Sequence, residues 1–282
     1  MYKIWEKGKN DINKSYNLRL KVAFCILFLI FTFLVFIDAF SQISTITSDR
    51  FQGNKEFSEE IIIIGINNES IRNVGQWPWD RKIVYEILSK TDGAKAVGVD
   101  ISFFEKTERD EPLKSYIERS NNIVLASEIN SKNVLEKPIF TKESGYVNLI
   151  SDSDGVIRSF NNKILNGSKP FSFEVYEKAY KKELFYNEEK LVINFATSPG
   201  EIKTISASEV LKKDFSKDIF KDKIVLIGGT AENIHDTYTT PTSKGAQMPG
   251  VEIHANIINN IIKDSFIKEQ SKIYTIFLIT FI

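Results

Sequence analysis

The chain has 282 residues, 42% of them hydrophobic, enough to bury one sizeable core or two small ones. Lys plus Arg and Asp plus Glu both number 37, so no net charge draws the chain to nucleic acid, and no basic stripe with interleaved aromatics appears. Its one cysteine, Cys25, lies in an apolar run, which leaves no disulfide framework and no cysteine-based metal site.

Residues 1–21 form a basic N-terminal segment, with Lys3, Lys7, Lys9, Lys14, Arg19 and Lys21 against Glu6 and Asp11. Residues 22–40 follow, apolar from Val22 to Ile37 except for Thr32 and extended by Ala39 and Phe40 past Asp38 at the interface, and read as a transmembrane helix approaching the ~30 Å of a bilayer core. The positive-inside rule then keeps the N-terminus cytoplasmic and places residue 41 onward outside. A cleaved signal peptide fits less well, because the apolar run is long and Asp38-Ala39-Phe40-Ser41 lacks a small-x-small cleavage pattern. Residues 41–59 are polar and read as a stalk or irregular lead-in.

The strongest folding signal is residues 60–81. Ile61 to Ile64 is a continuous β-branched run without alternation, which predicts a strand covered on both faces, finished by Gly65 and Ile66. Asn67 and Asn68 offer acceptors to the first amides of a short helix over 69–74, and Gly75 offers a left-handed stop. Trp77-Pro78-Trp79 imposes an extended approach, and Asp80 caps a helix over 81–90. Gly93 separates this from a strand over 96–101, completing a β-α-β unit. The spacing of Leu113, Tyr116 and Ile117 predicts a helix over 108–119, with a third strand over 122–126.

The middle changes character. Strand-like runs over 146–149 and 156–165 flank Ser151-Asp152-Ser153-Asp154-Gly155 and predict an antiparallel hairpin. A helix over 171–184 and a strand over 191–195 follow. Ser206 caps a short helix through Leu211, and residues 223–227 return to the buried parallel type. The last helix, 251–262, places Ile253, Ile257, Ile258, Ile261 and Ile262 on one face. Residues 273–282 are a second apolar run, about 15 Å as a helix, and read as the start of a second transmembrane helix whose completion is expected in a longer form.

The fold class is therefore α/β: a mainly parallel sheet with flanking helices and an antiparallel hairpin insertion, preceded by one transmembrane helix and followed by the start of a second. Several stretches, in order, carry a resemblance: the Glu60 to Arg81 segment, Ala96-Val97-Gly98-Val99-Asp100-Ile101-Ser102-Phe103, Gly145-Tyr146-Val147-Asn148, Asp152 to Arg158, Lys223 to Gly228, and Met248-Pro249-Gly250-Val251-Glu252-Ile253-His254-Ala255-Asn256. With these the chain resembles the CHASE extracellular sensory domains of type two, from about Asp49 to Lys263. The resemblance implies an extracytoplasmic sensory domain, here residues 41–272, that feeds a cytoplasmic cyclase, kinase or diguanylate-cyclase-like module. One departure stands out: members of the family usually carry an aspartate where this chain has Asn67, which exchanges a charge for amide donors.

In open α/β sheets ligands gather beyond the carboxyl ends of the strands, so Asn67, Asn68, Asp100 and Thr230 are expected to border one crevice. Trp77 offers a surface for stacking a flat ligand, with Trp79 beside it, and Asp236 adds a carboxylate. Each has a plainer reading as a cap, turn or core anchor. Gly228-Gly229-Thr230 lacks the further glycines and lysine of a phosphate loop and reads as a tight turn. Asp152-x-Asp154-Gly155 opens like a calcium loop but has no glutamate at the required place, and reads as a hairpin turn. His254 sits within an apolar helix and reads as structural rather than as a metal ligand.

The leading reading is the sensory region of a membrane receptor that binds an unidentified small-molecule or environmental cue and uses no cofactor, metal or catalytic residue. Its expected partners are the lipid bilayer, a second copy of the chain in a homodimer, and an output module present in a longer form. The rivals are a membrane-tethered hydrolase using Asp100, His235, Asp236 or His254, and a ligand-free dimerisation scaffold.

Overall fold

A computed structural model describes residues 2–36, 47–165 and 167–268, with side chains left out at 2–15 and at Phe36. The second apolar run, 273–282, and residues 37–40 lie outside the described residues. The chain divides into two units, Met1–Phe51 with Glu269–Ile282, and Gln52–Lys268.

In the first unit a helix α1 spans Tyr2–Phe36. Its stretch Tyr16–Val35 is long and apolar enough to cross a membrane, starting six residues earlier than the sequence pattern suggested. The polar interruption, Thr32, donates its hydroxyl to the Phe28 carbonyl at 2.8 Å, so it breaks no part of the helix.

In the second unit β1 (Ile61–Ile66) is followed by α2 (Asn68–Val74), α3 (Arg81–Leu88), β2 (Ala96–Asp100), α4 (Leu113–Arg119) and β3 (Ile123–Ile129). Gly75 does end α2, with φ 126° and ψ 175°, a region open to glycine but not the left-handed helical one. The fourth helix is shorter than its periodicity implied. Pro112 stands at its N-cap, and a proline disfavours helical backbone at the residue before it, which removes 108–111 from the helix.

After β3 come β4 (Leu135–Glu136), β5 (Ser144–Tyr146), β6 (Ile150–Ser151), β7 (Ile157–Asn161), α5 (Phe171–Tyr180), β8 (Lys190–Val192) and β9 (Thr204–Ser206). The hairpin exists, but its first strand is β6, while Tyr146 belongs to β5 and pairs in parallel with Ser127 of β3. Lys181, left-handed at φ 52°, ends α5 before the predicted 184. Next are α6 (Ala207–Val210), β10 (Ile224–Gly229), β11 (Thr237–Tyr238), β12 (Met248–Pro249) and α7 (Gly250–Lys263).

The main sheet runs in the order β4-β3-β2-β10-β1-β9, with β5 beside β3, and every pairing is parallel except β3 with β4. Alternate residues of its central strands feed opposite layers. Ile62, Ile64, Val97, Val99, Val225 and Ile227 pack under α3, α4 and α6, while Ile61, Ile63, Ile224 and Leu226 pack under α5 and α7. Burial on both sides is why the isoleucine run forms a strand, each side chain contributing about 1.5–3 kcal/mol.

A second sheet, β6-β7-β8, covers the outer side of α5 and α7. The single apolar face expected for α7 is thus corrected. Val251, Ala255 and Ile258 face the parallel sheet, and Ile253, Ile257 and Ile261 face the small one. Its three asparagines are also buried, and each finds a backbone partner. Asn256 Oδ1 accepts from Ala196 N at 3.0 Å, Asn259 Oδ1 from Ser58 N at 2.9 Å, and Asn260 bonds both N and O of Asn194.

The lead-in is likewise no free stalk from Gln52 onward. Gly53 N donates to Phe195 O at 2.8 Å and Lys55 N to Ala196 O at 3.0 Å.

Candidate functional site

The carboxyl ends of β2 and β10 lie side by side, with Asp100 registered against Gly228. At Gly228 a Cβ would come within 2.8 Å of Val251, so a glycine here lets α7 approach the sheet closely. Both Gly228 and Gly229 are strand residues rather than the tight turn expected.

Beyond these strand ends opens a cavity of about 490 Å3. Its chemistry is set by Trp77 and Trp79 from the loop before α3, Asp100 from β2, Glu128 from β3, and Asp236 and Tyr238 at β11. A second cavity of about 520 Å3 adjoins it, sharing Trp79, Arg81 and Ser102. The two tryptophan rings meet edge to face at 5.5 Å, and the Trp79 indole N–H donates to Gly75 O at 2.7 Å. This anchoring holds the aromatic wall in place.

Asp100 sits deep among protein atoms yet keeps part of its surface, because that surface faces the cavity. Burial pushes its carboxyl well above the usual range, and the negative charges of Asp236 and Glu128 push it further. Burial raises Asp236 as well, against a hydrogen bond from Tyr238 that favours the charged form. Asp236 also stands at the N-terminus of α7, where its backbone carbonyl accepts from Gly250 N at 3.0 Å. The positive end of that helix favours the ionised carboxylate there.

The one basic residue lining the cavity among the described residues is Arg81, and its charge is committed elsewhere. Its Nε faces Asp110 Oδ1 at 3.4 Å, a terminal nitrogen donates to Glu105 O at 3.2 Å, and the guanidinium lies 4.6 Å from the Phe103 ring centroid.

The structure gathers Trp77, Asp100 and Asp236 at this cavity, but not Asn67, Asn68 or Thr230. Asn67, Asp100 and Thr230 stand at the carboxyl ends of the neighbouring parallel strands β1, β2 and β10, but of the three only Asp100 lines this cavity. Asn67 is used up as the N-cap of α2: its Oδ1 accepts from Ser70 N at 2.8 Å, Ser70 Oγ at 2.6 Å and Ser206 Oγ at 3.1 Å. Asn68 is exposed in the first turn of α2. Thr230 lies over Gly65, where a Cβ would come within 2.7 Å of its Oγ1, and that hydroxyl is buried without a hydrogen-bond partner among the described residues.

Glu128 and Tyr238 were missed by sequence reasoning. The signal for Glu128 was present: extending the third strand past Ala126 puts Glu128 near the carboxyl end of β3, beside Asp100 of β2.

His235 is exposed with left-handed backbone, and His254 is buried between α5 and α7, with Ser172 Oγ 2.9 Å from its Nδ1. Among the described residues no group of histidine, cysteine, aspartate and glutamate is arranged to hold a metal ion. Asp152 and Asp154 instead clamp Arg158 at 3.1 and 2.8 Å, and that charge holds Asp154 down to about 2.

No curated protein and no solved structure matches the chain. The family profile of the CHASE2 domain matches residues 23–282, nearly the whole length, in keeping with the ordered stretches from Glu60 to Asn256. The chain belongs to the CHASE2 family of sensory domains.

Proposed function

We propose that this chain is the extracytoplasmic sensory region of a membrane receptor, anchored by α1, and that its cue binds in the cavity at the carboxyl ends of β2, β3 and β10. The observation that carries this reading is the placement of Asp100. A strand-end carboxylate held in a cleft, with its charge opposed by burial and by two neighbouring acids, is costly to keep unless something occupies the site. A cavity of about 490 Å3 with an aromatic wall falls in the range that takes small molecules.

The fold also offers a relay. The first residue of α7 abuts the Asp236 carboxylate, and the helix runs from there to Lys263, about 21 Å toward the end of the globular unit. A cue that shifts Asp236 acts directly on the helix from which a cytoplasmic module would be driven.

The test is a small-molecule screen by thermal stability on the full chain in detergent. Ser102 is exposed and borders both cavities, so Ser102→Trp fills the entrance without opening the core. Compounds that raise the melting temperature of the parent and not of Ser102→Trp support the reading. Stabilisation that survives the filled entrance places the cue elsewhere and defeats it.

A further inference from the structure

Resting on the cavity reading above, we infer that the ligand is a small soluble organic cation, an amine or quaternary ammonium, held by Asp100, Glu128 and Asp236 against Trp77 and Trp79. Three observations converge on this class.

The first is uncompensated charge. None of the three acids takes part in an ion pair among the described residues, and Arg81 turns its charge to Asp110, the Glu105 carbonyl and the Phe103 ring. An anionic ligand would add like charge to the three acids, and a neutral one would leave Asp100 and Asp236 drawn toward their protonated forms, whereas a cation favours their ionised forms.

The second is the wall. Indole faces attract cations most strongly of the aromatic side chains, and the attraction grows when water is displaced. Trp77 is half-buried and carries no hydrogen bond that fixes its indole N–H among the described residues, while Trp79 is locked to Gly75. Trp77 packs edge to face on this fixed ring and against the core, so the wall is preformed for a bound group.

The third is the absence of metal geometry. The acids of this site are not arranged to hold a metal ion, so the positive charge must be spread over a larger body that touches them one at a time. The cavity volume suits such a body.

The experiment uses the full chain in detergent and reads melting temperature and tryptophan fluorescence. The probes are choline, putrescine, agmatine and histamine. Beside them stand 3,3-dimethyl-1-butanol, the uncharged carbon counterpart of choline, and citrate as an anion.

At least one of the amines is expected to raise the melting temperature and perturb the fluorescence where the neutral counterpart and citrate do not. Asp100→Asn is expected to weaken that binding by about tenfold or more, the loss of one desolvated charge partner. Glu128 is exposed and its side chain makes no hydrogen bond among the described residues, so Glu128→Gln is expected to fold and should weaken the same ligand even if Asp100→Asn is unstable. Glu118→Gln, which removes an equal charge from the exposed side of α4, should leave binding unchanged.

If the alcohol or citrate binds as well as the amines, and Ser102→Trp abolishes that binding, the cation class falls and the cavity reading stands. If no compound of any charge binds in a manner sensitive to Ser102→Trp, both fall.

Discussion

A side chain on Gly250 would collide with the carboxylate of Asp236: the Cβ position lies 2.6 Å from Oδ2 and 2.8 Å from Oδ1. The glycine that opens α7 and the acid that lines the cavity are therefore fitted to each other.

Alanine at a helix position normally gains up to about 1 kcal/mol over glycine. Gly250→Ala should reverse that sign, because the methyl group must push the carboxylate away, and cost about 1–3 kcal/mol of stability. Urea denaturation measures it; a neutral or stabilising result would mean that Asp236 moves aside freely.

Asn67 caps α2 and does not line the cavity. Asn67→Ala should cost about 1 kcal/mol through the unpaired Ser70 amide, and leave the ligand-induced rise in melting temperature intact. Asn67→Asp, restoring the residue common in the family, keeps an acceptor and should cost less. Loss of ligand response in the alanine variant, with the fold retained, would return Asn67 to the site.

Glu252 and His254, two residues apart on α7, pull stability in opposite directions with pH. Burial raises the Glu252 carboxyl from its ordinary 4.5 to about 7, so its contribution is full below 4.5 and is lost as pH rises through 7. Burial lowers His254 to about 4 from 6.5, partly offset by a hydrogen bond to the Val147 backbone, so its contribution is lost as pH falls from 6.5 through 4. Glu252→Gln keeps an acceptor for Gly200 N and should stabilise the chain by about 1–3 kcal/mol at pH 8, with little change at pH 4. Denaturation at the two pH values checks it, and an equal effect at both would remove the titration account.

A buried polar residue can be worth more than an apolar one of similar size. Asn256→Leu would leave the Ala196 amide without its acceptor and should destabilise by about 1–3 kcal/mol despite the added hydrophobicity. Chemical denaturation that finds the leucine variant more stable would show that this amide finds another partner.

The positive-inside reading gives a topological expectation. In a Cys25→Ser background, Asn54→Cys should react with an impermeant thiol reagent in intact cells, and Lys9→Cys only after permeabilisation. The reverse pattern would put the cavity in the cytoplasm.

The parts of the fold legible in the sequence were those where one physical demand dominates. Ile61 to Ile64 and the run from Lys223 admit no reading but a doubly covered strand, and Asp80 and Asn67 cap the helices they precede. The errors arose where tertiary context decides. Nothing near α7 announces that a second sheet will cover its outer side, so its asparagines could not be assigned to the backbone of 58, 194 and 196. Tyr146 looked like half of a hairpin because its parallel partner, Ser127, is distant in sequence. Asp100 and Asp236 were recognised singly; that they share a cavity with Glu128 depends on strand order, which pattern alone does not supply.

Ser58 is bonded to Asn259, and Glu56 to Lys263 at 2.9 Å, so the segment entering the globular unit is stitched to the last turns of the helix by which the chain leaves it. Held side by side at these two points, the two segments separate only by breaking the buried bond between Ser58 N and Asn259 together with the exposed ion pair.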